Sequence, residues 1–229
     1  MAKVPTKVVS WNEIVEWTIG LGNKILASGY RPDMIVAVAR GGYVPARLLC
    51  DYLGVSDLVS IQSQHWVEAA RVAQKAIIRN AYTIDATGLR LLIVDDIVDT
   101  GDTLSLARDF VVKAWHPEEV RTAALQWISP VAKFKPDYYY IEVKDWTWFQ
   151  YPWTRLEDLT QFIQRIFKED QRASAGLSEG ELANLFVEWY GVRPEDFGDY
   201  WQLALKRLVD SAALELRDGK YYLAKGRRE

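Results

Sequence analysis

Asp95 and Asp96 stand side by side at the end of the apolar run Leu91-Leu92-Ile93-Val94, and Asp99-Thr100-Gly101-Asp102-Thr103 follows almost at once. Adjacent carboxylates can accept from two vicinal sugar hydroxyls or hold a hydrated divalent cation, which prefers hard oxygen ligands. The Thr/Gly loop has the opposite preference. It opens a helical pattern from Leu104, and the N–H groups left over at a helix N-terminus, with the macrodipole behind them, favour an anion such as a phosphate. Gly101 lets the backbone come close, and Thr100 and Thr103 add hydroxyl donors. Sugar at one end and phosphate at the other suit a phosphorylated sugar. An ordinary strand-to-helix turn with acidic capping explains the run less well, because two carboxylates at a buried strand end cost stability unless they are used.

A second constellation is Arg40-Gly41-Gly42. Two glycines allow a nest of backbone N–H groups, and an arginine adds a fixed charge for a polyanion; a plain Gly-Gly turn is the structural alternative. His65 and His116 lack the company a metal site needs. Cys50, between apolar Leu49 and Leu48 on one side and Asp51 on the other, reads as a buried structural thiol rather than a nucleophile.

The elements around these residues alternate in type. Ser10-Trp11-Asn12-Glu13 has the form of a capping box, and Ile14, Trp17, Leu21 and Ile25 continue at helical spacing, which predicts a helix to about Ala27. A buried strand follows over Met34–Ala39, then the Arg40 turn and a helix from about Tyr43 to Leu53. Leu58–Gln62 reads as a short strand, Leu91–Asp95 as the central strand, Leu104–Trp115 as its helix and Val120–Ile128 as another strand. The polar, Ala-rich segment 63–82 has no clear apolar face and reads as a mobile loop or a hairpin. Strands alternating with helices predict an α/β fold with a doubly wound, mostly parallel sheet, whose ligands bind at the carboxyl ends of the strands. Both constellations fall there.

After Pro130 comes an aromatic block, from Tyr138-Tyr139-Tyr140 to Trp146, Trp148, Phe149, Tyr151 and Trp153. It either covers something flat or packs as a hydrophobic flap. Leu156–Phe167 reads as a short amphipathic helix and 168–176 as a linker. Ser178-x-x-Glu181 is a second capping box, followed by a helix to Tyr190, a longer one from about Asp199 to Ala213, and a hairpin around Asp218-Gly219. These signals divide the chain into a main domain over 1–168 and a small α+β domain over 174–229. The small domain resembles a winged helix, but with eight Lys/Arg against ten Asp/Glu over 174–229 it reads as a packing or dimerisation module rather than a DNA reader.

With 229 residues, 49% of them hydrophobic and 26% charged, the chain can bury a sizeable core. Its net charge of −3 gives no electrostatic case for nucleic-acid binding, so any anion must be bound locally. One cysteine excludes an intrachain disulfide. No apolar signal core is found at the N-terminus and no stretch approaches a membrane span, so a cytoplasmic protein is expected.

The run from Leu91 to Thr103 resembles the phosphoribosyl pyrophosphate (PRPP) motif of the type I phosphoribosyltransferases: four apolar residues, two acidic ones, then Asp-Thr-Gly-x-Thr. Residues 30–153 look like the 6-oxopurine branch of that family, the xanthine-guanine and hypoxanthine phosphoribosyltransferases. The resemblance implies transfer of a phosphoribosyl group from PRPP to a purine base, giving a nucleotide and pyrophosphate with Mg²⁺ as cofactor, by a homo-oligomer. It assigns Asp95 and Asp96 to the ribose hydroxyls and the magnesium shell, with Asp96 as the metal contact, directly or through water. Asp99 becomes the acid or base near purine N7, and Asp99, Thr100, Gly101, Asp102 and Thr103 the 5′-phosphate cradle, with the Asp102 side chain turned to solvent. Arg40, Gly41 and Gly42 would bind pyrophosphate, often through a strained peptide. Trp148 would stack on the purine, and Phe149 would bond it through its backbone. Segment 63–82, with Arg71, Lys75 and Arg79, would be a lid over the diphosphate, the alternative being a solvated helical face. The family's base-reading lysine precedes a proline; here Ser129 precedes Pro130, with Lys133 and Lys135 nearby, so the base stays open. A non-catalytic PRPP-binding regulator, its small domain contacting DNA or a protein, is the other reading.

Overall fold

The computed structural model describes residues 3–66, 75–79 and 81–224. The chain divides into two compact units, one formed by residues 12–146 and the other by 1–11 together with 147–229.

The larger unit is built on a sheet whose central strands are apolar runs buried on both faces. After the helix α1 (Trp11–Ala27) come β2 (Met34–Ala39), α2 (Tyr43–Leu53), β3 (Asp57–Trp66), β4 (Lys75–Arg79), β5 (Arg90–Val98), α3 (Asp102–Trp115), β6 (Glu119–Ile128) and β7 (Tyr138–Val143); a short β1 (Thr6–Val8) precedes α1. The six strands lie in the order β4-β3-β2-β5-β6-β7, all parallel except β4. From β2 the chain steps outward through α2 to β3, then returns to the other side of β2 as β5 and steps the opposite way through α3 to β6. Right-handed crossovers in opposite directions put α2 and α3 on opposite faces of the sheet. Val36, Val38, Leu91 and Ile93 accordingly share one core with Leu104, Ala107, Val111 and Trp115 of α3, while Ile35, Ala37, Leu92 and Val94, which alternate with them, are buried on the other side. Strand order reverses between β2 and β5, and such switch points open a crevice at the strands' carboxyl ends.

Two elements extend past their expected limits. Strand β5 runs on past Asp95, its expected end, to Val98, so Asp96 too belongs to the strand and not to the loop after it. Segment 63–82 supplies the arms of a hairpin: β3 continues to Trp66 and pairs antiparallel with β4, from Gln62 opposite Arg79 to Trp66 opposite Lys75. Arg71 lies outside the described residues.

The second unit joins β1 in parallel to β8 (Trp148–Gln150), followed by α4 (Arg155–Glu169), α5 (Glu179–Tyr190), α6 (Tyr200–Asp210) and the hairpin β9 (Leu214–Arg217) and β10 (Lys220–Leu223). The Ser178–Glu181 capping box is formed, and Asp218 and Gly219 both take positive φ, 49° and 74°, as a two-residue hairpin turn requires. The dividing line differs from a boundary at 168–174. Leu159, Phe162, Ile163 and Ile166 of α4 pack with Leu182, Phe186 and Tyr190 of α5 and Trp201 and Leu205 of α6 in one core, and Phe162 stacks on Tyr190 with ring centroids 4.0 Å apart. Segment 168–176, expected as a linker, holds a 3₁₀ turn over Gln171–Ala175 whose Ala173 is buried in that core.

Candidate active site

The two constellations meet at the switch point. Strands β2 and β5 pair only as far as Ala37 and Val94; the Arg40 turn then leaves the end of β2, and the acidic pair continues along β5. Gly42 is buried in the angle between them. A Cβ on it would lie 2.4 Å from the carbonyl of Val94 and 2.6 Å from that of Val38, so only glycine lets the chain turn into α2 this close to β5. At Gly41 a Cβ would stand 2.2 Å from Oδ2 of Asp96. The missing side chain is thus what brings the Arg40 turn against the acidic pair. The Ala39–Arg40 peptide bond is cis, and Arg40 itself is exposed.

Asp95 and Asp96 are 8% and 9% exposed. Each folds back on the strand: Oδ1 of Asp95 accepts from the N–H of Asp96 at 2.9 Å, and Oδ1 of Asp96 from that of Ile97 at 2.9 Å. Burial first, and the neighbouring Asp96 carboxylate second, push the Asp95 pKa well above the usual carboxylate range. A pair of nearly buried oxygen donors with no nitrogen or sulfur among them is the set a hard divalent cation accepts, since Mg²⁺ takes one or two protein carboxylates and leaves its other positions to water and phosphate. No cluster of three or more metal-ligating side chains exists among the described residues, so such an ion would depend on its substrate for further ligands.

Beyond Val98 the loop rises to α3 around a cavity of about 200 Å³ whose walls include Asp95, Asp99, Thr100, Gly101 and Thr103. Gly101 sits at φ 88° in the N-cap position of α3, and no side chain caps the helix there. Its φ excludes most other residues, as does Phe134, whose Cβ lies 2.5 Å from where a Gly101 Cβ would be. Asp99 is exposed at the mouth. Asp102 is exposed as expected, yet it is also engaged within the loop: its Oδ2 accepts from the Thr100 hydroxyl at 3.1 Å, and its N–H donates to that same hydroxyl oxygen at 3.3 Å. A larger hollow, of about 560 Å³, lies at the far end of α2 beside Arg47, Cys50 and Asp51. It has neither the acidic pair nor a helix N-terminus and is the poorer site on chemical grounds.

The structure therefore gathers Arg40, Gly41, Gly42, Asp95, Asp96 and the Asp99–Thr103 loop in one unit. Trp148 and Phe149 belong to the other, where both are half-buried in β8 and the Trp148 ring meets Phe162 edge-on at 5.5 Å. Lys75 opens β4. One contact went unread in the sequence: the N–H of Lys133 donates to the Thr100 carbonyl at 2.8 Å, which together with Phe134 ties segment 131–135 to the loop. The alternation of Ala132 and Phe134 with Val131, Lys133 and Lys135 was the available signal.

The sequence matches the phosphoribosyl transferase domain over residues 10–157. A xanthine-guanine phosphoribosyltransferase of Nitratidesulfovibrio vulgaris (strain DP4) is 27% identical over 167 residues, 72% of this chain and 93% of that protein. Another, from Cereibacter sphaeroides, is 30% identical over 152 residues, 63% of this chain and 84% of its own. Among solved structures, a purine phosphoribosyltransferase from Pyrococcus horikoshii Ot3 superposes with a TM-score of 0.57 at 30% identity, over 66% of this chain and 94% of that one. With a domain match over more than half its length, and with the Arg40 turn, the acidic pair and the Asp99–Thr103 loop gathered in one unit of its sheet, the chain belongs to the phosphoribosyltransferase family.

Proposed function

We propose that the protein transfers the phosphoribosyl group of PRPP to a 6-oxopurine (hypoxanthine, guanine or xanthine), giving the nucleoside 5′-monophosphate and pyrophosphate. The observation that carries this reading is the approach of Gly41 to Asp96, because it puts a polyanion-binding turn and a sugar-binding acidic pair at one switch point, beside a phosphate-binding helix N-terminus. Similarity to xanthine-guanine phosphoribosyltransferases along most of their length supports the choice of base.

In this reading the amides and hydroxyls of Asp99–Thr103 hold the 5′-phosphate, and Asp95 and Asp96 accept from the two ribose hydroxyls. Arg40 and the backbone of Gly41 and Gly42 hold the pyrophosphate, so the ribose is fixed at three points and its C1 is presented to the base. As the C1–O bond to pyrophosphate lengthens, positive charge grows on the ring and negative charge on the leaving oxygens, which the Arg40 guanidinium and the turn's N–H groups stabilise. Asp99 takes or gives the proton at purine N7. Asp96 and Asp95 would hold Mg²⁺, which would supply Lewis-acid neutralisation of the diphosphate. Hairpin β3–β4, with Lys75 at the start of its second arm, covers the diphosphate and keeps water out. The family resemblance assigns the base side to Trp148 and Phe149.

The test is pyrophosphate release from PRPP and Mg²⁺ with hypoxanthine, guanine, xanthine, adenine, uracil and orotate. Turnover with an oxopurine is expected. Silence across the panel with PRPP still bound would favour the regulator, which the compact unit of three helices and a hairpin would then serve as its contact module.

A further inference from the structure

The acidic loop around the phosphate cavity lacks a cation of its own. Asp95 and Asp99 line the cavity, Asp102 stands within the loop, and none of the lining residues is basic. A phosphate monoester brings in nearly two more negative charges at neutral pH. A helix N-terminus offers only about half a positive charge against them. A full positive charge within reach of the loop would offset the remainder, and segment 131–135 carries two lysines, Lys133 and Lys135.

That segment is fixed from both ends. The N–H groups of Val131 and Ala132 donate back to the carbonyl of Ile128 at 3.3 and 3.0 Å, the N–H of Lys133 donates to Thr100 at 2.8 Å, and Phe134 packs against Gly101. Ala132 and Phe134 face the core that holds Leu104, so Lys133, between them, is turned outward at the loop. Its neighbour Lys135 is already occupied, with its ammonium over the rings of Trp127 at 5.1 Å and Tyr139 at 5.5 Å. The Lys133 ammonium has no partner among the described residues. A lysine stem reaches about 6 Å from its Cα, and this stem starts one hydrogen bond away from the phosphate loop.

We propose that Lys133 is a phosphate-binding residue, its ammonium pairing with the 5′-phosphate held at Asp99–Thr103. The assignment rests on the reading of this loop as a sugar-phosphate site. It makes the loop a two-part device, in which amides and hydroxyls shape the cradle and a lysine from the segment after β6 balances its charge.

The experiment compares the full-length protein with Lys133→Gln, Lys133→Arg and Lys135→Gln by calorimetric titration with ribose 5-phosphate and by KM for PRPP and for the base. Lys133→Gln is expected to weaken ribose 5-phosphate binding and raise the PRPP KM about tenfold, as loss of one charge-assisted bond does. The base KM should stay unchanged, and ribose 5-phosphate binding should become less sensitive to salt. Lys133→Arg should recover most of the loss, and Lys135→Gln should show none. Unchanged ribose 5-phosphate affinity in Lys133→Gln overturns the proposal, and a raised base KM beside it reassigns the lysine to base recognition. If the wild-type protein binds ribose 5-phosphate but turns over no base, the transferase reading fails and the binding comparison still decides the role of Lys133. If it binds neither ribose 5-phosphate nor PRPP, both fail.

Discussion

Asp95 in the larger unit is buried, and Asp170 in the smaller one is half-buried with only 7% of its side chain exposed, yet they end in opposite states. Asp170 accepts from Arg172 Nε at 3.0 Å and Nη2 at 2.9 Å, from the Arg172 N–H at 3.1 Å and from Trp189 Nε1 at 3.0 Å. Those donors hold its pKa well below the usual carboxylate range. Asp95 has one backbone donor and a second carboxylate next to it, and its pKa moves the other way. At Asp95 burial leads and the neighbouring carboxylate adds to it, whereas at Asp170 the hydrogen-bond donors outweigh burial. Asp170 is a carboxylate whose partners lie within its own unit, so it serves stability. The pair on β5 sets like charge against like charge, an arrangement that costs stability and suits a site where cations and hydroxyls arrive with the substrate.

The contrast predicts that changes at the end of β5 cost turnover without costing stability, and that the reverse holds at Asp170. The largest effect is expected for Asp99→Asn, which keeps the shape and removes the proton acceptor. Turnover should fall by about 10²–10⁴, with PRPP affinity and the melting temperature preserved; unchanged turnover would remove Asp99 from the chemistry. Gly41→Ala comes next. Its Cβ would displace the Asp96 carboxylate, and misplacement of about 1 Å at a reacting centre can cost about 10²-fold. A variant with wild-type kcat/KM would mean that the turn and the pair do not act together.

Much of this contrast was legible in the sequence, and some was not, for physical reasons. The runs Met34–Ala39 and Leu91–Val94 are apolar enough to be central strands whatever surrounds them, and Gly42 and Gly101 stand where their turns need them. Strand order, and hence the meeting of Gly41 with Asp96, depends on which strands pair, which local pattern does not encode. The apolar face of α4 was plain, but periodicity does not say which core a face joins, and here it joins α5 and α6 rather than the sheet. β1 is three residues long and pairs with β8 across some 140 residues of chain, too short for any period to show. Asp170 looked like part of a linker because its partner Trp189 is nineteen positions away.

A smaller effect is expected at Asp170 itself. Asp170→Ala leaves the Trp189 N–H without its acceptor and the Arg172 guanidinium with Glu188 alone, and an unsatisfied group such as the Trp189 N–H costs about 1–3 kcal/mol. Chemical denaturation followed by Trp fluorescence should show the loss, while PRPP turnover at a temperature where both proteins are folded should match. A fall in kcat with unchanged stability would mean that the second unit takes part in the chemistry through this region.

The smallest and sharpest comparison is in pH. A carboxyl whose folded pKa is depressed binds fewer protons in the folded state than in the unfolded one, so it stabilises the fold above its ordinary value near 3.8 and loses that contribution as pH falls through the lower folded value. The gap in melting temperature between the wild type and Asp170→Ala should therefore be full at pH 6 and close on acidification below pH 4. For Asp95 the sign reverses. Its folded pKa is raised, so the folded state binds the extra proton, and stability falls as pH climbs from about 3.8 towards the higher value. Asp95→Asn, measured without substrate or divalent cation, should accordingly melt above the wild type at neutral pH and converge with it near pH 4, while its turnover is lost. If both variants instead melt below the wild type with the same pH profile, Asp95 is held by partners as Asp170 is, and the strain ascribed to the acidic pair is not there.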